Sequence, residues 1–166
     1  MAKRVDYLDE ALSLERRGDF DAALTSYRLA LRDQPNDHRV LQNMAIAYSR
    51  TGRLEEAIRC YRRALDLKPQ LSGAHYGLAF LLLKRGDLDE AKQHLDTFLE
   101  HPPRGGDSDR WIEHARATLR ALRGDGDPPA DLPPNRTDAS SDTPGSGNGS
   151  GSAPRVAQDM FPLADS

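Results

Sequence analysis

Residues 52–69, GRLEEAIRCYRRALDLKP, recur in altered form one period earlier and one period later in the chain. The period is 34 residues, and it relates four sets of residues: Gly18, Gly52 and Gly86; Ala23, Ala57 and Ala91; Leu31, Leu65 and Leu99; Pro35, Pro69 and Pro103. A fixed period of this size indicates structural units that stack on one another. The sequence therefore predicts three repeated units.

Each period contains two runs of helical apolar spacing on either side of a glycine, which predicts a helix, a tight turn and a second helix. In the first unit we expect these helices at about 4–16 and 21–33. The repeated glycine suits the end of a helix, where φ is positive, and the repeated proline should stop the second helix. Asp19 and Asp87 are expected to cap the helices that follow them.

This pattern resembles the tetratricopeptide repeat (TPR), and the resemblance covers residues 4–105. The three units are 4–37, 38–71 and 72–105. The resemblance implies an all-α fold, a right-handed α-solenoid of three TPR helical hairpins. Residues 106–123 carry an apolar stripe that includes Trp111, which predicts a capping helix over the open face of the last unit. We expect Trp111 to pack there rather than to anchor a partner.

The rest of the chain differs in composition. Residues 124–153 are rich in Asp, Pro, Gly and Ser, which predicts a disordered acidic linker, whether natural or engineered. Residues 154–166 group four apolar side chains that suit a short linear binding motif, although an inert chain end would look the same: Val156, Met160, Phe161 and Leu163. A linker of about 30 residues reaches about 30 Å by random-coil scaling, so the motif could return to the repeats.

Composition and charge argue against several classes of function. Residues 124–166 hold seven Asp and two Arg, whereas the first 123 residues hold 21 basic and 19 acidic residues, too even a balance to predict nucleic-acid binding. The lone Cys60 excludes an intramolecular disulfide and suits a reducing cytoplasm. No apolar run approaches the 18 or so residues of a membrane span, so we expect no membrane association.

The sequence also predicts no enzyme, metal site or cofactor. The five histidines are scattered, and no nucleophile motif, phosphate-binding loop or paired-ligand spacing is present. His94 and His101 are expected to be solvated helix residues.

In TPR proteins the first helix of every unit lines a concave surface. Transferring that geometry by register predicts a peptide-binding groove with an apolar floor, formed by Leu8, Leu12, Arg39, Gln42, Asn43, Ile46, Tyr76, Phe80 and Lys84. The apolar members would hold the ligand's side chains, the two amides would bond its backbone, and Arg39 and Lys84 would tolerate acidic groups. We expect Leu12→Asp or Phe80→Asp to weaken partner capture with little effect on melting.

One ligand class fits poorly. TPR co-chaperones hold the C-terminal carboxylate of heat-shock chaperones with a clamp of Lys, Asn, Asn, Lys and Arg. The matching positions here are Leu8, Leu12, Asn43, Gly73 and Gly77. One amide without a cation should not hold two carboxylates, so the heat-shock chaperone C-terminus is not an expected partner.

The resemblance and the predicted groove favour a non-enzymatic adaptor or scaffold that binds a peptide segment of a partner protein, gated by its own C-terminal motif. Two alternatives stay open. One is a secretion-type chaperone that holds a translocator segment. The other is a structural scaffold that self-associates through its repeat ends.

Overall fold

The computed structural model describes residues 5–126 of the chain. Within that range the chain forms helices and no strand, which confirms the all-α prediction. The helices are α1 (Tyr7–Arg16), α2 (Phe20–Asp33), α3 (His38–Arg50), α4 (Leu54–Leu67), α5 (Ser72–Arg85), α6 (Leu88–Glu100) and α7 (Ser108–Leu122). The predicted motif 154–166 and all but the first residues of the predicted linker lie outside the described residues.

The repeated glycines make the turn inside each hairpin. Gly18, Gly52 and Gly86 have φ values of 80°, 75° and 93°, a left-handed conformation that glycine adopts without strain. The repeated prolines coincide with the ends of second helices, since α2 and α4 end two residues before Pro35 and Pro69. The glycines therefore form the turns inside the hairpins, and Pro35 and Pro69 follow the ends of second helices, as the repeat predicts.

The capping prediction holds for one aspartate and is wrong for the other. Asp19 accepts a hydrogen bond from the backbone N–H of Ala22 at 3.2 Å. Asp87 occupies the same place before α6, but its side chain makes no capping bond. It pairs instead with Arg85, because a guanidinium two residues away competes with the backbone donors.

The chain separates into two compact units, and the first ends at Pro69. It consists of the α1–α2 and α3–α4 hairpins, with α2 packed against α3. Four fully buried alanines let the helices approach closely: Ala11, Ala23, Ala45 and Ala57. Arg28 donates to the Tyr48 hydroxyl at 3.3 Å, and Arg63 donates to the carbonyl oxygen of Pro35 at 2.8 Å. Side chains of one hairpin therefore tie it to the other.

A polar cluster lies in the core of this first unit. Glu15 is only 2% exposed, and Tyr27 is fully buried. Burial raises the pKa of Tyr27, and the negative charge of the nearby Glu15 carboxylate raises it further. Burial also raises the pKa of Tyr61, although the positive charge of Arg50 opposes that rise. The cluster thus connects α1, α2, α3 and α4 through polar side chains.

The second unit begins at Gln70 and contains the α5–α6 hairpin with α7 packed against α6. Its core is aromatic, since the Tyr76 ring lies 5.0 Å from the ring of Phe98 and 5.5 Å from that of Trp111, in the second case edge to face. Trp111 is 3% exposed, so it packs inside the unit as expected. Arg123, at the end of α7, binds Asp96 of α6 at 2.8 Å.

Candidate peptide-binding surface

In the first unit, α1 and α3 carry six of the predicted ligand-contacting residues. Leu12, Asn43 and Ile46 are 5%, 2% and 6% exposed, so they belong to the core more than to an open floor. Leu8 and Gln42 are half-buried and remain accessible. We therefore expect Leu12→Asp to lower the melting temperature, because the new carboxylate would lie in a buried apolar place.

Arg39 is held by an aspartate of its own helix start. Its Nε and Nη2 donate to the two carboxylate oxygens of Asp37 at 3.2 and 3.1 Å. Burial opposes ionisation of Asp37, but the bonds and charge of Arg39 outweigh it and lower the pKa of Asp37. The hydrogen bond to Asp37 raises the pKa of Arg39, and the charges of Asp37 and Asp6 add to that rise. An acidic ligand at Arg39 would therefore compete with two carboxylates.

Asn43 is also engaged within its own helix. Its side-chain Nδ2 donates to the carbonyl oxygen of Arg39 at 3.0 Å, one helical turn earlier. The predicted bond from this amide to a ligand backbone would need that internal bond to break. Gln42, which is half-buried, is the more accessible amide of the pair.

In the second unit, α7 covers two of the predicted aromatic contacts. Tyr76 and Phe80 are 3% and 4% exposed. His114 of α7 has its Nδ1 3.1 Å from the Tyr76 hydroxyl and its ring 5.0 Å from that of Phe80. Burial raises the pKa of Tyr76 despite the nearby charge of Arg110, so the phenol stays neutral. Phe80→Asp would thus disturb the contact with α7, and we expect it to lower the melting temperature as well.

Lys84 is the predicted residue of α5 that solvent reaches most freely. It lies in the last turn of the helix, where a positive charge is favoured by the helix dipole. Two cations were predicted to line the surface. Arg39 is paired with Asp37, and Lys84 is the more exposed of the two.

The sequence reasoning missed a contact between two histidines. Nδ1 of His75 on α5 lies 2.9 Å from Nδ1 of His94 on α6. Nε2 of His94 lies 3.7 Å from a carboxylate oxygen of Glu90. The His94 side chain is only 20% exposed, so the prediction of a solvated His94 is wrong. The repeat register held a signal, because His75 shares its position with the buried Leu41 of the preceding hairpin.

Cys60 on α4 is half-buried, and burial raises its pKa to about 11, which lowers the thiolate fraction at neutral pH. Among residues 5–126, no three histidine, cysteine, aspartate or glutamate side chains are grouped so as to hold a metal ion. Neither is any helix in that range long and apolar enough to span a membrane.

Two family models, both described as tetratricopeptide repeat, match residues 8–72 and 54–107. No curated protein matches the sequence. Solved structures do match. The type III secretion chaperone SycD of Yersinia enterocolitica, in complex with a peptide of the translocator YopD, has a TM-score of 0.65 at 17% identity, over 70% of this chain and 89% of that one.

Two further structures are similar. The Sgt2 TPR domain from Aspergillus fumigatus has a TM-score of 0.60 at 24% identity, over 77% of this chain and 87% of that one. The second TPR domain of human RPAP3, in complex with the HSP70 peptide SGPTIEEVD, has a TM-score of 0.58 at 22% identity, over 66% and 92%. At these identities the similarity concerns the fold alone. Together with the repeat matches it shows that the chain belongs to the tetratricopeptide repeat family.

Proposed function

We propose that this protein is a non-enzymatic adaptor of the cytoplasm that binds a peptide segment of a partner protein on the first helices of its repeats. The observation that carries the proposal is the contrast between conserved repeat columns and variable first-helix positions. The alanine of the second helix recurs as Ala23, Ala57 and Ala91, all fully buried. At an accessible first-helix position of the first unit, by contrast, the chain has Leu8 in α1 and Gln42 in α3. Repeat proteins bind through such variable positions on a shared scaffold.

The accessible residues define the ligand chemistry in each unit. In the first unit, Leu8 and Gln42 would contact an apolar side chain and a backbone amide of the ligand. Asp6 and Asp37 beside Arg39 disfavour an acidic ligand there. In the second unit, Lys84 is the accessible member, whereas Tyr76 and Phe80 support α7. A carboxylate clamp for a heat-shock chaperone C-terminus has no counterpart in this proposal.

Selection from a displayed library of random 12-residue peptides on the immobilised full chain tests the proposal. Gln42→Arg should reduce the affinity of the selected peptides by up to about tenfold, because loss of one hydrogen bond costs about 0.5–1.5 kcal/mol. Gln93→Arg is the matched control, since Gln93 is an exposed glutamine on the second helix α6.

Melting curves must be alike for the two variants. Equal affinities for Gln42→Arg, Gln93→Arg and the unaltered chain would contradict binding on α3. A Lys84→Gln variant examines the second unit in the same way, and it should weaken only peptides that carry an acidic residue.

The same proposal includes gating by the C-terminal motif, residues 154–166. Its apolar residues are the chemistry that a surface with Leu8 and Gln42 would accept: Val156, Met160, Phe161 and Leu163. A tether of about 30 residues commonly gives an effective concentration on the order of a millimolar, enough to compete with weak peptides. Deleting residues 154–166 should shift backbone amide signals of α1 and α3 and raise the affinity for external peptides. Unchanged signals would remove the gating part and leave the adaptor part standing.

A second candidate is a secretion-type chaperone that holds a translocator segment. The similarity to SycD, which extends over 89% of that chaperone, favours it. Co-purification of a secreted protein from the native host, lost on a Gln42→Arg change, would separate this function from a general adaptor.

A further inference from the structure

His75 and His94 form a bridge inside the α5–α6 hairpin. Their Nδ1 atoms are 2.9 Å apart, a normal hydrogen-bond distance, and both rings are partly buried. The ring centroids are 5.2 Å apart and the planes are tilted by 35°, so the rings meet through their nitrogen atoms and are not stacked face to face. The contact spans 19 residues of sequence and joins the two helices of one hairpin.

The geometry fixes how many protons the bridge can hold. An imidazole nitrogen donates when it carries a proton and accepts when it does not. Two Nδ1 atoms at 2.9 Å therefore need one proton between them. With none, two lone pairs face each other; with two, two N–H groups face each other, and when both Nε2 atoms carry protons as well, both rings are cations. Either state loses the hydrogen bond, and the doubly charged state adds repulsion.

The surroundings favour one arrangement of the neutral pair. Glu90, one turn before His94 on α6, has a carboxylate oxygen 3.7 Å from Nε2 of His94. A proton on that Nε2 leaves the Nδ1 of His94 as the acceptor, so His75 is the donor in the bridge. On α7, His114 and Arg110 face the neighbouring Tyr76. Glu90 is thus a charged group of α6 beside the pair, and His114 and Arg110 are titratable or charged groups of α7 beside the residue that follows His75.

We infer that the His75–His94 bridge is an acid-sensitive latch of the α5–α6 hairpin, closed while the bridge holds one proton and released when both rings are protonated. The closed hairpin has no room for a second Nδ1 proton, whereas the open hairpin leaves both rings in water. Ordinary imidazoles take up a proton near pH 6.5. The open form thus binds more protons below that pH, so acid favours opening by at most about tenfold per pH unit.

The tautomers of the unaltered full-length chain give the first measurement. Long-range proton–nitrogen correlation spectra at pH 8 should show His75 protonated on Nδ1 and His94 protonated on Nε2. His101, an exposed residue, is the reference and should show the usual mixture. The inference is overturned if both bridge histidines show no Nδ1 proton at that pH.

Amide hydrogen exchange gives the second measurement. Between pH 6.5 and 5.5, after correction for intrinsic rates, the opening constant of α5 and α6 should rise up to about tenfold. Amides of the α1–α2 hairpin, whose helices contain no histidine, should not follow this change. Exchange in α5 and α6 that stays constant over this range would refute the latch.

Two substitutions taken from the chain's own repeats test the cause. His75→Leu introduces the residue that stands at the equivalent position 41, and His94→Ser the one at position 26. Either change should abolish the extra acid response of α5 and α6, whereas His101→Gln should retain it. If one variant fails to fold, the other still decides. A full acid response in a folded His75→Leu chain would rule out the bridge as its source.

Discussion

The two units use one repeat but fill it with different side chains. In the α3–α4 hairpin, Gln42 and Ala64 occupy the repeat positions that Tyr76 and Phe98 occupy in the α5–α6 hairpin. Ala64 and Phe98 are both fully buried. The first unit stacks two hairpins, whereas the second has one hairpin and a single covering helix. The rings of the second unit therefore supply apolar burial that a second hairpin supplies in the first.

Exchanging the side chains at this position gives the largest expected effect. Phe98→Ala should lower the free energy of unfolding by about 3–5 kcal/mol, because it removes the ring against which Tyr76 packs and leaves a cavity. Ala64→Phe should cost about 1–3 kcal/mol through overpacking. Urea unfolding measures both. If Phe98→Ala lowered the free energy of unfolding no more than Lys84→Ala, a change at an exposed residue, then the rings would not stabilise the second unit as the comparison claims.

A second difference is the polar cluster of the first unit. Glu15 stands where the second unit has Leu83, at the same position of the repeat. Glu15→Ala should cost about 1–3 kcal/mol, since it removes a polar side chain that is only 2% exposed and leaves the groups packed around it without that polar neighbour. The same change in a Tyr27→Phe background should cost a different amount, and the coupling from the double-mutant cycle measures the electrostatic interaction of the two residues. Strict additivity would mean that Glu15 and Tyr27 act independently.

The residues before the second helices, Asp19 in the first unit and Asp87 in the second, differ in their contacts, and substituting them should change stability by a smaller amount. Asp19→Ala should cost about 1 kcal/mol because it removes the capping bond to Ala22. Asp87→Ala at the same repeat position should stay within about 0.5 kcal/mol, since its pair with Arg85 is a surface ion pair. Urea midpoints at constant slope provide the measurement. Equal costs would show that Asp87 caps α6 in solution.

The smallest expected effect depends on pH. The pKa of Asp37 is lowered in the folded chain, so its charge stabilises the fold above pH about 4, and this contribution is lost as the pH falls below that value. Asp37→Asn keeps a capping side chain and removes the charge, so it should cost less than about 1 kcal/mol at pH 7 and progressively less as the pH falls below about 4. In the second unit the residue at the equivalent position before α5 is Leu71, which has no ionisable group, so the start of α5 has no corresponding pH dependence. A cost that does not shrink in acid would contradict the role of the carboxylate.

The helical scaffold could be predicted from the sequence because the same residues recur in three units with a period of 34 residues. Glycine with positive φ, small alanines and stopping prolines each have one structural use, and three copies remove the ambiguity of any single one. The binding surface was harder to predict because burial is decided by tertiary neighbours. Phe80 looks like an open apolar anchor in the repeat register, yet His114 of α7 lies on its ring. Arg39 looks like an available cation, yet Asp37 holds it from two residues away.

Cys60 provides a single native site for attaching a fluorescent dye. It is the only cysteine in the sequence, and burial in α4 raises its pKa from 9.0 to about 11. Two pKa units leave the folded thiol about a hundredfold less ionised than an open one at neutral pH. Labelling by a thiol-reactive dye should therefore be slower in the folded chain than in the unfolded chain. A single dye at this position would report ligand-induced tightening of the first unit without any engineered residue.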